Sequence, residues 1–180
     1  MTLAGLETIM LNRATAAALI VFLLSGCVLQ SKDPLIADSA ADTALAAFGS
    51  RFTSYEATSD NGWRKDVDLL VATPKGKHYV FSDGKSDTGI AFLALAKTWW
   101  GVQMTEPGKG SVYALAEARA GEVVIRPLAC DDMQKAGTYA ALVRFEKDDC
   151  FVRDGVRIAD VFRLAMAHPS PPLMKLVPRH

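Results

Sequence analysis

From Val67 to Arg126 the chain is a succession of short apolar runs, each stopped by turn formers after about eight to twelve residues. Val67, Leu69 and Val71 share one face of a period-2 stretch. Pro74-Lys-Gly-Lys77 then breaks the pattern. Tyr79 and Phe81 alternate with His78 and Val80, and Ser82-Asp-Gly-Lys-Ser-Asp87 forms the next break. Ile90–Ala96 and Trp99–Met104 read as further strands, stopped by Pro107-Gly-Lys-Gly110. Ser111–Glu117 and Glu122–Arg126 flank Ala118-Arg-Ala-Gly121, a hairpin signal. Strands at this spacing make an antiparallel meander, which resolves its edges by closing into a small barrel or sandwich. Ala91–Ala96 is the segment least bound to this reading, because alanine also favours helix.

The last third changes character. Cys130–Lys135 fits one or two helical turns, and Ala141–Glu146 and Cys150–Arg153 look extended. Ile158, Val161, Phe162 and Ala165 then fall at i, i+3, i+4 and i+7, the apolar stripe of an amphipathic helix that packs on a core. Asp154 is placed to cap its start and Pro169 to stop it. The Pro-rich tail from Ser170 hugs the domain or frays. The expected fold class is therefore mainly β (α+β): a small antiparallel meander forming a barrel or sandwich, with a C-terminal amphipathic helix.

Upstream, residues Ala14–Leu24 (ATAAALIVFLL) carry no charge and follow Arg13. At about 1.5 Å per helical residue this run is too short for a hydrocarbon core of about 30 Å. A basic start and a short apolar stretch ending on small residues fit a secretory signal, whose start is either Met1 or Met10. The run ends at Leu24-Ser25-Gly26-Cys27. This tetrapeptide resembles the lipobox of bacterial lipoproteins. The resemblance implies a diacylglycerol on the Cys27 thiol, cleavage just before Cys27, and fatty acylation (palmitate) of the new amine. It divides the chain into a removed signal peptide (1–26), a lipidated N-terminus and tether (27–45) and a single domain (46–180). Ser31–Ser39, polar with one Pro and two Asp, suits the tether. Val28, rather than Asp, after the cysteine implies delivery to the outer membrane, facing the periplasm. The rest of the chain is similar, without a specific motif, to proteobacterial envelope lipoproteins.

With Cys27 acylated, Cys130 and Cys150 remain. An even pair in an oxidising compartment reads as a disulfide; two buried free thiols are the alternative. The bridge would tie the end of the meander to the run entering the terminal helix, so reduction is expected to loosen that helix first.

The search for chemistry yields little. Gly84-Lys85-Ser86 ends like a phosphate-binding loop, but the first glycine of that motif would fall on Tyr79. Ser82, Asp83 and Asp87 lack the spacing of a calcium loop and match ordinary turn chemistry. The histidines His78, His168 and His180 belong to no zinc-protease or nucleophile-elbow motif. Asp131-Asp132 and Asp148-Asp149 are adjacent pairs, which in extended chain point to opposite faces. No catalytic residue, metal or cofactor is expected. Trp99 and Trp100 are also neighbours in a strand, so at most one faces a single core. The other packs under the terminal helix or lines a binding surface, to which His78 could contribute. Twenty basic and twenty acidic side chains leave no net charge, which excludes a general nucleic-acid binder. The expected partners are the membrane, through the lipid on Cys27, and an envelope protein. The expected function is a non-catalytic binding or envelope-maintenance module. The alternatives are an inhibitor of a cell-wall hydrolase and an enzyme with an unrecognised site near His78.

Overall fold

The structure, a computed structural model, describes residues 28–37, 40–42, 48–75, 78–84, 87–106, 108 and 110–179, without the side chains of 72–75 and 106. The strands are β1 (Leu29–Ser31), β2 (Arg51–Ala57), β3 (Trp63–Lys75), β4 (His78–Ser82), β5 (Asp87–Ala96), β6 (Trp99–Glu106), β7 (Gly110–Arg119) and β8 (Glu122–Pro127). Helix α1 (Cys130–Ala136), β9 (Val143–Glu146), β10 (Asp149–Val152), helix α2 (Ile158–Ala167) and β11 (Met174–Pro178) follow.

Strands β2 to β8 pair in sequence, each antiparallel to the next. β11 then lies between β8 and β2 and closes the ring into an eight-stranded antiparallel barrel. The tight β7–β8 connection is Ala120-Gly121, joining Arg119 to its partner Glu122. Gly121 has φ 76°, a left-handed position that costs glycine nothing sterically.

The alternation read in the sequence sorts the strand residues to two sides. Phe52, Leu69, Val71, Tyr79, Phe92, Val102, Val123 and Leu176 fill the barrel. Tyr79 meets Phe92 edge-on, with ring centroids 5.6 Å apart. Ala114 and Ala116 on β7 supply the small inward positions that let these rings fit, the large–small complementarity small barrels use. A second core lies outside the wall. The α2 residues Ile158, Val161, Phe162 and Ala165 pack with Tyr113, Leu115 and Ala91 of the strands and with Met133 of α1. The predicted helical stripe is thus the buried face of α2. Its N-cap position is Arg157 rather than the expected Asp154, and no side chain caps it. Asp160 in the first turn, favourable there for the helix dipole, accepts instead from the Arg157 guanidinium at 3.0 Å.

Two segments depart from expectation. The tail does not fray: β11 is the strand that closes the barrel, so the amphipathic helix is followed by one further element. The tether expected over 27–45 is folded where it is described. β1 lies between β7 and β10, antiparallel to the first and parallel to the second. Leu29 is fully buried, and Ile36 and Ala41 are buried as well. The folded body therefore begins well before residue 46. Strand β1 has three residues whose partners are far away in sequence, Val112 and Cys150 among them, so it leaves no alternation to read.

Candidate binding groove

The three-residue strand β1 borders a surface groove. It brings the barrel wall, the β9–β10 hairpin and the turn entering α2 to one place. Beyond it the chain is strapped to the outer face of β6 and β7. Ser31 Oγ lies 2.6 Å from the Tyr113 hydroxyl. The backbone N–H groups of Leu35 and Ile36 donate to Gln103 Oε1 at 2.7 and 2.8 Å. Thr105 and Ser111 hydroxyls, 2.9 Å apart, extend the network. Burial pushes the Tyr113 phenol above its usual range, so it stays neutral and remains a hydrogen-bonding group.

Between this strap and the β10–α2 turn runs a groove of about 500 Å³, a size that accommodates a small ligand or a few residues of peptide. It is lined by Lys32, Arg144 and Arg153, by Asp33 and Asp154, and by the apolar Phe151 and Leu35. The Arg144 guanidinium carbon stands 5.5 Å from the Phe151 ring centroid and its Nε is 2.8 Å from Glu146. Arg153 donates from Nε to Ala140 O at 2.9 Å, which fixes the orientation of its head group. Gln30 donates to Asp149 Oδ1 at 3.3 Å. Three cations, two carboxylates and one aromatic face suit a mixed ligand carrying an anionic group, recognised by charge-assisted hydrogen bonds.

The disulfide Cys130–Cys150 holds this architecture together. It links the first residue of α1 to β10, with the Cα atoms 5.6 Å apart. Because Cys150 is also the β1 partner of Leu29, the bridge sits directly behind the groove.

A second polar feature marks the β2–β3 irregularity. The register shifts between Thr53 and Tyr55, and buried Ser54 accepts there from the Val67 N–H at 3.1 Å and donates to Asp66 Oδ2 at 3.1 Å. Burial raises the Asp66 carboxyl above its ordinary value, more than the Ser54 hydrogen bond lowers it. Across the barrel, burial opposes the charge on Glu117, but hydrogen bonds from Arg119 and Arg126 outweigh it and hold that carboxyl low.

The residues singled out in the sequence do not form one surface. Trp99 packs against the outer core under α2. Trp100 packs with the barrel interior, and its indole N–H donates to Asp42 Oδ2 at 3.1 Å. His78 is half-buried on β4 opposite Ala91. The adjacent tryptophans thus point to opposite sides of the wall, as strand geometry requires, and the candidate surface of Trp99, Trp100 and His78 is not assembled. Cys27, Lys85 and Ser86 lie outside the described residues. Among the described residues no three His, Cys, Asp or Glu side chains are grouped as metal ligands, and no helix is long and apolar enough to cross a membrane. The groove residues Lys32, Arg144, Phe151 and Arg153 had no sequence signal. The β9–β10 hairpin sets Arg144 opposite Phe151, and the long-range β1 pairing brings the Lys32 stretch beside them.

Comparison with protein-family models, curated proteins and solved structures gives no match for this chain.

Proposed function

We propose that this chain is a bacterial envelope lipoprotein, acylated on Cys27 and held at the periplasmic face of the outer membrane. Its barrel acts there as a non-catalytic binding or envelope-maintenance module. The observation that supports a binding role best is the groove beside β1, where Lys32, Arg144, Arg153 and Phe151 converge. The barrel interior is occupied by its own side chains, so the groove is the natural place for a ligand or a partner segment. The lipid supports the address: each buried methylene contributes about 0.8 kcal/mol, and two or more chains give stable anchoring.

Two experiments test this reading. Cys27→Ala should abolish labelling by a fatty-acid probe and leave the precursor uncut; normal processing and membrane fractionation of that variant would remove the lipoprotein reading. A photo-crosslinking residue at Val152, which lines the groove, should capture a discrete envelope partner in intact cells. A control at Arg119, at the opposite end of β7 from the β1 pairing, should not. Equal labelling from both positions would remove the groove as the binding site.

A further inference from the structure

A lipid anchor usually leaves a domain free to move on a stalk, but here the fold leaves almost no stalk. Val28, the residue after Cys27, is 4% exposed. It bridges Ala129 and packs with Val112, Met104 and Leu173. The next N–H, from Leu29, donates to Leu128 O at 2.8 Å. Consecutive Cα atoms are about 3.8 Å apart, so one peptide unit separates the lipid-bearing residue from the core. The polar stretch that follows cannot lengthen the connection, because Ser31, Leu35 and Ile36 are bound to Tyr113 and Gln103.

We propose that the side of the barrel at which β1 begins is a bilayer-docking surface. It is formed by Ala129–Asp132 at the start of α1 and by the segment 168–173, which ends on Leu173. The domain lies against the lipid headgroups there instead of swinging on a tether. This inference rests on acylation of Cys27 and adds an orientation to it. Charge is not what presses the surface down. Asp131 and Asp132 are exposed and acidic, and Arg126 is engaged by Glu117 at 3.2 Å and by the Ser170 carbonyl at 2.8 Å. Zwitterionic lipid therefore suffices. The Ala120-Gly121 turn is at the other end of β8, a strand that spans about 20 Å at roughly 3.3 Å per residue, and faces away from the bilayer. Ser31 in the groove wall is within about 14 Å of Cys27 along even a fully extended chain, so the groove opens close to the membrane.

The test uses the full-length lipidated protein in phosphatidylcholine vesicles that carry a nitroxide-headgroup lipid. A fluorophore is placed through Pro171→Cys on the docking side or Ala120→Cys on the far turn, both exposed positions. Quenching should be several-fold stronger at position 171 than at position 120. Inserting a flexible Gly/Ser linker of about fifteen residues between Cys27 and Val28 should erase the difference. Equal quenching at the two positions, in protein that floats with the vesicles, would overturn the docking alone. Failure to float would overturn the lipid reading, and the docking with it.

Discussion

Gly101 and the ring of Phe162 meet at the seam between the barrel and α2. A methyl group at Gly101 would stand inside van der Waals contact with Cγ, Cδ2 and Cε2 of that ring. The missing side chain on β6 is what lets the fully buried Phe162 lie flat on the wall, 6.1 Å from the Tyr113 ring centroid in an edge-on arrangement. Gly101 is therefore the position on which seating of the helix depends.

Gly101→Ala should accordingly destabilise the domain by about 1–3 kcal/mol, the range for overpacking a filled site, and lower the melting temperature. Adding Phe162→Leu should recover part of that loss, because the clash is removed while some apolar packing is kept. A thermal double-mutant cycle reads the coupling. Strictly additive losses would show that the two residues do not share this contact.

The bridge between Cys130 and Cys150 closes a loop of 20 residues, for which the chain-entropy account gives about 3 kcal/mol. Its loss should be felt first in the β9–β10 hairpin and in β1, not in the helix. Among the described residues β10 pairs only with β9 and β1, whereas α2 is held by its own apolar face on the barrel. In a Cys130→Ala/Cys150→Ala variant, hydrogen exchange should accelerate at residues 29–31 and 143–152 while α2 stays protected. Faster exchange in α2 than in the hairpin would restore the order that the sequence suggested.

The run from β3 to β8 was legible in the sequence because each strand pairs with the next, so local alternation and turn residues carry the topology. Even the alanine-rich β5 obeys it. Neighbours on both sides override the helical preference of alanine, and Ile90 and Phe92 point inward between them. β1 and β11 were not legible. One is three residues long and the other sits in a Pro-rich tail, and both pair over long separations: Leu29 with Cys150, and Leu176 with Ser54 and Val123. These two strands complete the barrel and shape the groove, so the site was hidden for the same reason. The tryptophan pair drew attention through residue type alone, yet both members serve packing.

Asp66 gives a pH dependence with a definite sign. Burial raises its folded-state pKa above the ordinary aspartate value of about 3.9. The folded state then holds the proton more tightly than the unfolded state, so this group's contribution to stability falls as pH rises from that ordinary value through the raised one. At neutral pH the ionised carboxylate is a burden on the fold. Asp66→Asn retains an acceptor for the Ser54 hydroxyl and removes the charge. It should be more stable than the parent at pH 7, with the advantage shrinking as the pH falls through the acid range. Denaturant melts at several pH values measure it. An Asn variant less stable at neutral pH would mean that the charge is favourable where it stands.

Gln103 is the post to which the N-terminal strap is tied. It is almost fully buried, and its single oxygen Oε1 accepts from both the Leu35 and the Ile36 N–H. Gln103→Leu keeps most of the volume and leaves two backbone donors without that acceptor. Each buried donor left unsatisfied costs about 1–3 kcal/mol, partly recovered if the strap lifts and water reaches the amides. The variant should therefore melt earlier, and its Leu35 and Ile36 amides should exchange much faster, while the β3–β5 amides change little. Since the same strap forms one wall of the groove, crosslinking from Val152 should weaken in parallel. Protection at Leu35 and Ile36 equal to that of the parent would mean that the strap is held by packing of Ile36 alone.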